Sequence, residues 1–380
     1  MINKNINPVI GRIAFVGDIF LHEGNTINMD AEIKQYLNAC DIRSCNIEAP
    51  IKCYDTKAVA KAGPNLQQAS IVVQETEKNG FNLANLANNH IMDYGTKALE
   101  NTIEALYIPH IGAGKSLNQA TRPYFTEIGK LKIGFLAFGE AEFGAIINDG
   151  DTGFAWVNHP ETNNIVRQTK AECDILILQI HAGIELIELP LPEWRKRYKE
   201  LIDHGADAIV ATHPHIPQGW EIYNGHPIFY SLGNFFFDSK HPHPLWNKGL
   251  MAFINIHEDK SLSIDVKGIQ RKESTIQEWE GEEFDNYTSH LCHILQDTGY
   301  EEKINELAIT LWNKVYRRHY ENAINGVSGF NLMHLLKFIK RLLTRKGENI
   351  PLLLHNTRIE SHHWIAIRAL NQIYKKSING

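Results

Sequence analysis

From residue 12 to residue 112 the chain repeats one unit, a short apolar run followed by a stretch whose apolar residues recur at helical spacing. Residues 12–16, 41–48, 81–87 and 108–112 read as strands. Between them, 32–39, 65–79 and 96–106 read as helices, the second stopped by Gly80. Such alternation argues for parallel strands joined by helical crossovers. The chain is therefore expected to build an α/β sheet, and such sheets carry their chemistry at the carboxyl ends of the strands.

The second part of the pattern is more varied. Residues 124–128 and 131–138, joined by Gly129-Lys130, read as antiparallel pieces, and 140–158 reads as a long loop rich in Gly, Asp and small residues. A helix at 161–171 leads into 173–180, the most hydrophobic strand of the chain. A charged amphipathic helix at 190–204, capped by Gly205, precedes a buried strand at 207–212. Further strands are expected at 227–231 and 250–256, with a hairpin through 257–260 into 261–269. Residues 273–285 read as an acidic linker, and helical spacing continues from there. At 380 residues the chain is long for one domain, which suggests a domain at 1–274 and a basic helical region at 275–380.

Charged residues make up 22% and apolar residues 43%, enough for a sizeable core and without the bias of a disordered chain. The net charge of −6 is unevenly spread. Residues 301–380 hold 13 Lys/Arg against 6 Asp/Glu, a local +7 that leaves −13 for residues 1–300. Five cysteines without zinc-type spacing are expected to be reduced thiols. No apolar signal segment precedes the first strand, and no run reaches the roughly 18 apolar residues of a membrane span. The expectation is a soluble, cytoplasmic protein. The segment 330–343 puts Leu332, Leu335, Leu336, Ile339, Leu342 and Leu343 on one face and basic residues elsewhere, so membrane association through the tail is the alternative.

Metal-ligating residue types sit where the strands end. Asp18 follows the first strand and Glu48 closes the second. Asn88-Asn89-His90, then Asp93 and Gly95, follow the third, more polar residues than a turn needs. His181 ends the most hydrophobic strand, and His213-Pro214-His215 follows the 207–212 strand, the proline limiting how the two imidazoles move. Carboxylate, amide oxygen and imidazole without thiolate suit Mn, Fe(II) or Zn, and the supply is large enough for one or two ions. Two ions sharing a carboxylate and a hydroxide are hydrolytic machinery. Asp93 admits two readings, a cap for the helix near Thr96 or a carboxylate that orients His90.

Six stretches carry a resemblance: GDIFLHEG from Gly17, CNIEAP from Cys45, LANNHIMDYG from Leu86, HAGIE from His181, THPHIPQ from Thr212 and YSLGNFFFD from Tyr230. In this order they resemble the CapA family of poly-gamma-glutamate capsule biosynthesis proteins, which look like calcineurin-type metallophosphoesterases. The resemblance runs over residues 11–258. It implies a metallophosphatase-like four-layer α/β/β/α sandwich, here with an added C-terminal helical region. It implies also that Asp18 and His215 bind one metal, that Glu48 bridges, and that Asn89, His181 and His213 bind the second. His90 then resembles a general acid and Asp93 the carboxylate that orients it, with His22, Glu185 and Asn234 as candidate substrate-binding residues.

Two departures matter. The superfamily opens with Asp-x-His, but Phe20 stands two residues after Asp18, which takes a histidine from the first metal. Ala182 stands where many members carry Trp. The implied function is a metal-dependent hydrolase acting on a phosphoester or related bond in capsule or surface-polymer biosynthesis. Its partners would be a phosphorylated or polymeric substrate and capsule-synthesis proteins, with no nucleic acid. The alternatives are amide hydrolysis or transfer on a poly-gamma-glutamate-like polymer, and a non-catalytic, metal-stabilised polymer-binding or scaffold module, which the missing histidine favours.

Overall fold

Two twisted sheets lie face to face in the computed structural model, which describes residues 8–325, 336, 339 and 349–379. The larger has nine strands and is centred on Val9–Phe20, with Ile42–Ile47, Leu83–Asn85 and His110–Ile111 following in parallel on one side. Asn234–Phe237 also pairs with it in parallel, while Lys248–His257, Leu262–Lys272 and Thr275–Trp279 extend the other side as antiparallel neighbours. The smaller sheet runs Trp220–Tyr223, His226–Phe229, Ala208–Thr212, Ile175–His181, Leu131–Gly139, Tyr124–Ile128.

The period of two along each strand divides the residues between layers. Ile133, Phe135, Ile175, Ile177, Ala208 and Val210 face inward, where Phe15 meets Phe135 at 6.5 Å between ring centroids. Leu136, Phe138, Leu178, Ile180 and Ile209 face outward onto Trp194, Tyr198 and Leu201 of the helix Pro192–Asp203. The helices Ala31–Asn38, Val72–Lys78 and Gly95–Ala105 contribute Ile33, Leu37, Val72, Val73 and Leu99 to the larger core. The expected four-layer sandwich is the observed one.

Four local expectations are corrected. The first strand does not stop at residue 16 but runs to Phe20, and Asp18 sits at register shifts against both parallel neighbours. Such irregularities re-aim a side chain beside a site. Gly17 is required there, since a Cβ would stand 1.8 Å from the Gly233 carbonyl oxygen. The helix expected over 65–79 starts only at Val72, because the backbone of Gln68 pairs with Pro50 and Lys52 while its side chain holds Leu21 N and the carbonyls of Glu48 and Ala49. The expected loop 140–158 contains Ala145–Ile146 and Gly153–Ala155, which form a small sheet with Ala113–Gly114. The expected linker 273–285 holds the strand Thr275–Trp279 and the start of the helix Glu282–Ile294, so the nine-stranded sheet passes through the boundary expected near residue 275.

The C-terminal helices Tyr300–Leu311, Arg317–Asn325, Ile350–Arg358 and Glu360–Asn379 pack onto the outer face of the smaller sheet's helical layer. Tyr300, Ile304, Ala308, Tyr316, Ile365 and Ala369 share its core. Most of the basic segment 330–343 lies outside the described residues. Among the described residues no helix is long and apolar enough to cross a membrane. All five cysteines are free.

Candidate metal centre

Strand ends from both sheets converge on one buried region. Asp18 and Glu48 come from the larger sheet, with Asn89 and His90 in the turn beyond Leu83–Asn85. The smaller sheet supplies His181 as the last residue of its strand, and His213 and His215 just past Ala208–Thr212. Both of the latter have left-handed backbones, at φ 101° and 60°. That conformation costs about 1–2 kcal/mol for each non-glycine residue. The surrounding packing sustains it, and it turns the two imidazoles into the same region.

His181 Nε2 is a meeting point. It lies 3.0 Å from His213 Nδ1, 3.1 Å from Asn89 Oδ1 and 3.9 Å from Glu48 Oε1. A second grouping forms beside it, where His215 stands 3.5 Å from Asp18 Oδ2 and 3.6 Å from Glu48 Oε1. Asn46 Nδ2 donates to Asp18 Oδ1 at 2.7 Å and holds that carboxylate in place. Glu48 is completely buried, and neither of its oxygens has a hydrogen-bond partner. A buried carboxylate left bare is costly, and a cation between the imidazoles would satisfy both oxygens. The residues therefore fit a divalent ion.

Electrostatics agree with that fit. Burial, then the neighbouring imidazoles, pulls His181 and His213 well below the usual histidine range, leaving them in the neutral form that binds metals. Burial pushes Glu48 well above the carboxylate range. Burial alone would lower His215, but Glu48 and Asp18 overcome it and push the imidazole up to about 10.

Sequence reasoning missed two carboxylates. Glu140 and Glu142 approach His213 Nε2 to 3.6 and 3.4 Å. With His213 they make a second cluster, beside that of Asp18, Glu48 and His181, whose ligating atoms could hold a cation. Glu142 also accepts from Asn89 Nδ2 at 3.2 Å, which turns the amide oxygen toward His181. Glu140 is tied to the C-terminal region, since its Oε2 accepts from Ser361 N at 3.0 Å and Ser361 Oγ at 2.8 Å. No sequence pattern marks them, because the register that sets Gly139 level with His181 on its parallel neighbour is visible only in the fold.

His90 and Asp93 are brought together. His90 Nδ1 lies 2.6 Å from Asp93 Oδ2, which also accepts from Leu66 N at 2.7 Å. Lys61, which no motif marked, pairs with the other Asp93 oxygen. Asp93 makes no helix cap, because the helix begins at Gly95 and its N-cap residue Tyr94 uses no side-chain bond. Burial lowers the pKa of His90 against the opposing pull of Asp93.

The three candidate substrate residues separate. Glu185 lines the cavity beside His90, Glu142 and His213. Asn234 instead lies 2.9 Å from His215 Nδ1 through its Oδ1 and donates to Trp246 O, so it orients that imidazole. His22 is exposed, sits edge-on to Phe20 and lines a different depression with Lys52 and Tyr94. It does not replace the absent histidine. Phe20 itself stacks on Phe237 at 5.0 Å, in a cluster with Ala49 and Trp246, and the His215 ring packs against Phe237 and Trp246. The Asp18 side of the centre thus has an apolar wall, and the His181 side a polar one.

A cavity of about 490 Å³ opens above Asn89, His90, Glu142 and His213, and the C-terminal helices form its opposite wall. The fold and this centre define a two-sheet α/β protein with a buried carboxylate–imidazole site. The chain belongs to the bacterial capsule synthesis protein family PGA_cap, whose model matches residues 12–239. It is 30% identical over 244 residues to the capsule biosynthesis protein CapA of Bacillus anthracis, a match covering 60% of this chain and 59% of that one. To the PGA biosynthesis protein CapA of Bacillus subtilis it is 31% identical over 240 residues, 59% of this chain and 63% of the other. The chain thus spans about three-fifths of the length of these curated relatives. Among solved structures, a hypothetical protein from Thermus thermophilus superposes with a TM-score of 0.43 at 14% identity, over 69% of this chain and 100% of the other.

Proposed function

We propose that this chain is a metal-dependent hydrolase acting on a phosphoester or related bond in the making of a bacterial surface polymer. The observation that carries the reading is the fully buried carboxylate of Glu48, standing between His181 and His215 with no hydrogen-bond partner on either oxygen. Asp18, Glu48 and His215 would hold one divalent Mn, Fe or Zn ion, and Glu48, Asn89, His181 and His213 a second. When bound, such ions supply a hydroxide at neutral pH and a positive charge for the attacked group.

The protein's own groups then have defined tasks. Asp93 engages Nδ1 of His90, which leaves Nε2 as the atom that exchanges a proton with the leaving group. Glu142 fixes the amide of Asn89, and Asn234 fixes the ring of His215. The aromatic wall of Phe20, Phe237 and Trp246 keeps water from the Asp18 side. The link to surface polymers rests on the relatives named for capsule and PGA biosynthesis, and on a Mycobacterium tuberculosis relative named as a probable polyglutamine synthesis accessory protein, 30% identical over 165 residues. Amide cleavage on such a polymer would use the same centre.

The packing of Phe20 supports a second reading, a non-catalytic module in which a single ion holds a polymer-binding surface together. Metal content by mass spectrometry, with hydrolysis of a phosphoester panel, decides between them. The hydrolase reading expects one to two transition-metal ions per chain, loss of metal in His213→Ala, and hydrolysis that His90→Asn removes without loss of metal. Bound metal with no turnover of phosphoesters or polymer amides supports the module, and no metal at all overturns both.

A further inference from the structure

The cavity above the centre is electrically two-sided. Its floor carries the carboxylates Glu142 and Glu185 among the candidate metal-binding groups. The wall opposite, built from residue 311 onward, contributes Arg358 and the histidines 319, 355 and 362 beside apolar groups such as Leu311 and Leu354, and among the described residues no carboxylate. This wall lies outside residues 12–239, the segment the family model matches.

Its polar groups are unspent. Arg358 forms no hydrogen bond or ion pair with any described residue, and Asp151 on a neighbouring loop feels its charge without pairing with it. The Nδ1 atoms of His319 and His362 are buried without partners among the described residues. The rings of His355 and His362 lie 5.3 Å apart between centroids. Burial, then the neighbouring histidines, pulls them down to about 4 and about 3, so at neutral pH they offer N–H donors and not charge. Among the described residues the fixed positive charges on the cavity are Lys61, already engaged by Asp93, and Arg358, which is free of any described partner.

We propose that the C-terminal helices make this cavity a two-ended pocket for a dianionic substrate, with one anionic group at the metal centre and a second, distal one held by Arg358 and the neighbouring imidazoles. The apolar groups Leu311, Val315, Tyr316 and Leu354 also line the cavity and suit a linker without charge. A cavity of about 490 Å³ bounds the bound portion to a small molecule or a chain end. This inference rests on the reading of the floor as a metal centre.

The test uses full-length, Mn-loaded protein and isothermal titration with ω-phosphonoalkanoates of increasing length, each beside the alkylphosphonate lacking the carboxylate. A matching α,ω-bisphosphonate distinguishes a distal phosphate from a distal carboxylate. At the best length the second anion should improve affinity roughly tenfold or more, as expected for a charged hydrogen bond. Arg358→Ala should erase that preference and leave alkylphosphonate affinity unchanged, while Arg358→Lys retains most of it. Equal affinity for paired ligands in the unsubstituted protein, a preference that survives Arg358→Ala, or no binding at any length overturns the proposal. Binding that is indifferent to EDTA yet keeps the Arg358-dependent preference overturns the hydrolase reading and upholds the distal site.

Discussion

Replacing Glu48 by Gln separates the burden this carboxylate places on folding from its service at the centre. Glu48 is fully buried with both oxygens bare, and burial pushes its pKa well above the ordinary 4.5. A carboxyl with a raised folded pKa binds its proton more tightly in the folded state, so the metal-free protein loses stability as pH rises above 4.5 toward the folded value. At pH 7 the loss from this one group is at most about 3 kcal/mol, the work of carrying a proton from 4.5 to 7. Gln keeps the shape and escapes that loss, but its amide needs partners in the same place and His215 loses the carboxylate that raises it, so the net gain expected is about 1–2 kcal/mol. The measurement is urea unfolding in EDTA from pH 5 to pH 8. Glu48→Gln should be the more stable protein, with the gap widening toward pH 8. In Mn at a hundredfold excess over its Kd the order should reverse, because the unsubstituted protein gains about 2.7 kcal/mol that the variant cannot. A variant less stable than its parent in EDTA at pH 7, or equal stabilisation of both by Mn, would refute the reasoning.

Two further outcomes follow from the C-terminal helices. Ser361 Oγ donates to Glu140 Oε2 and accepts from Trp194 Nε1, both at 2.8 Å, so Ser361→Ala strands two buried partners and should lower stability by about 2–4 kcal/mol in chemical denaturation, with Ser361→Thr close to the parent. An alanine variant as stable as the parent would sever the link drawn between these helices and the centre. The depressed pKa values of His355 and His362 give the helical cover a pH dependence of definite sign. A lifted or unfolded histidine binds protons more tightly, so the cover should be fully stable above its ordinary 6.5 and weaken as pH falls toward 4. Hydrogen exchange in Ile350–Arg358 and Glu360–Asn379, corrected for intrinsic rates, should be faster at pH 5 than at pH 7.5, and equal protection would contradict this.

Much of this architecture was legible because the two signals that carry it are local. Apolar runs broken by helical spacing gave parallel strands, and the residue types stranded at their ends gave Asp18, Glu48, Asn89, His181, His213 and His215, which the fold brings within a few ångströms of one another. Glu140 and Glu142 escaped because residues 131–138 pair visibly in the sequence only with the antiparallel strand before them. Their parallel partner Ile175–His181 lies some 40 residues further on. The helix start at Val72 was hidden for a related reason, since Gln68 spends its hydrogen bonds on Pro50, Lys52 and Leu21, and spacing cannot report such bonds. Asn234 is legible as a polar residue in a motif near the centre, and only geometry says that it faces His215. The cavity's far wall left no trace in the pattern at all. Nothing in a helical repeat at 350–358 announces that His355 and Arg358 will line the same cavity as His90.

The division of the centre between the two sheets has a mechanical meaning. Asp18, Glu48 and Asn89 belong to the larger sheet's side, and His181, His213 and His215 to the smaller one's. An ion held by both sets would act as a rivet through the sandwich, resisting sliding or parting of the halves as a covalent cross-link would. The apolar interface of Phe15, Phe135 and their neighbours would supply adhesion, and the rivet would supply alignment.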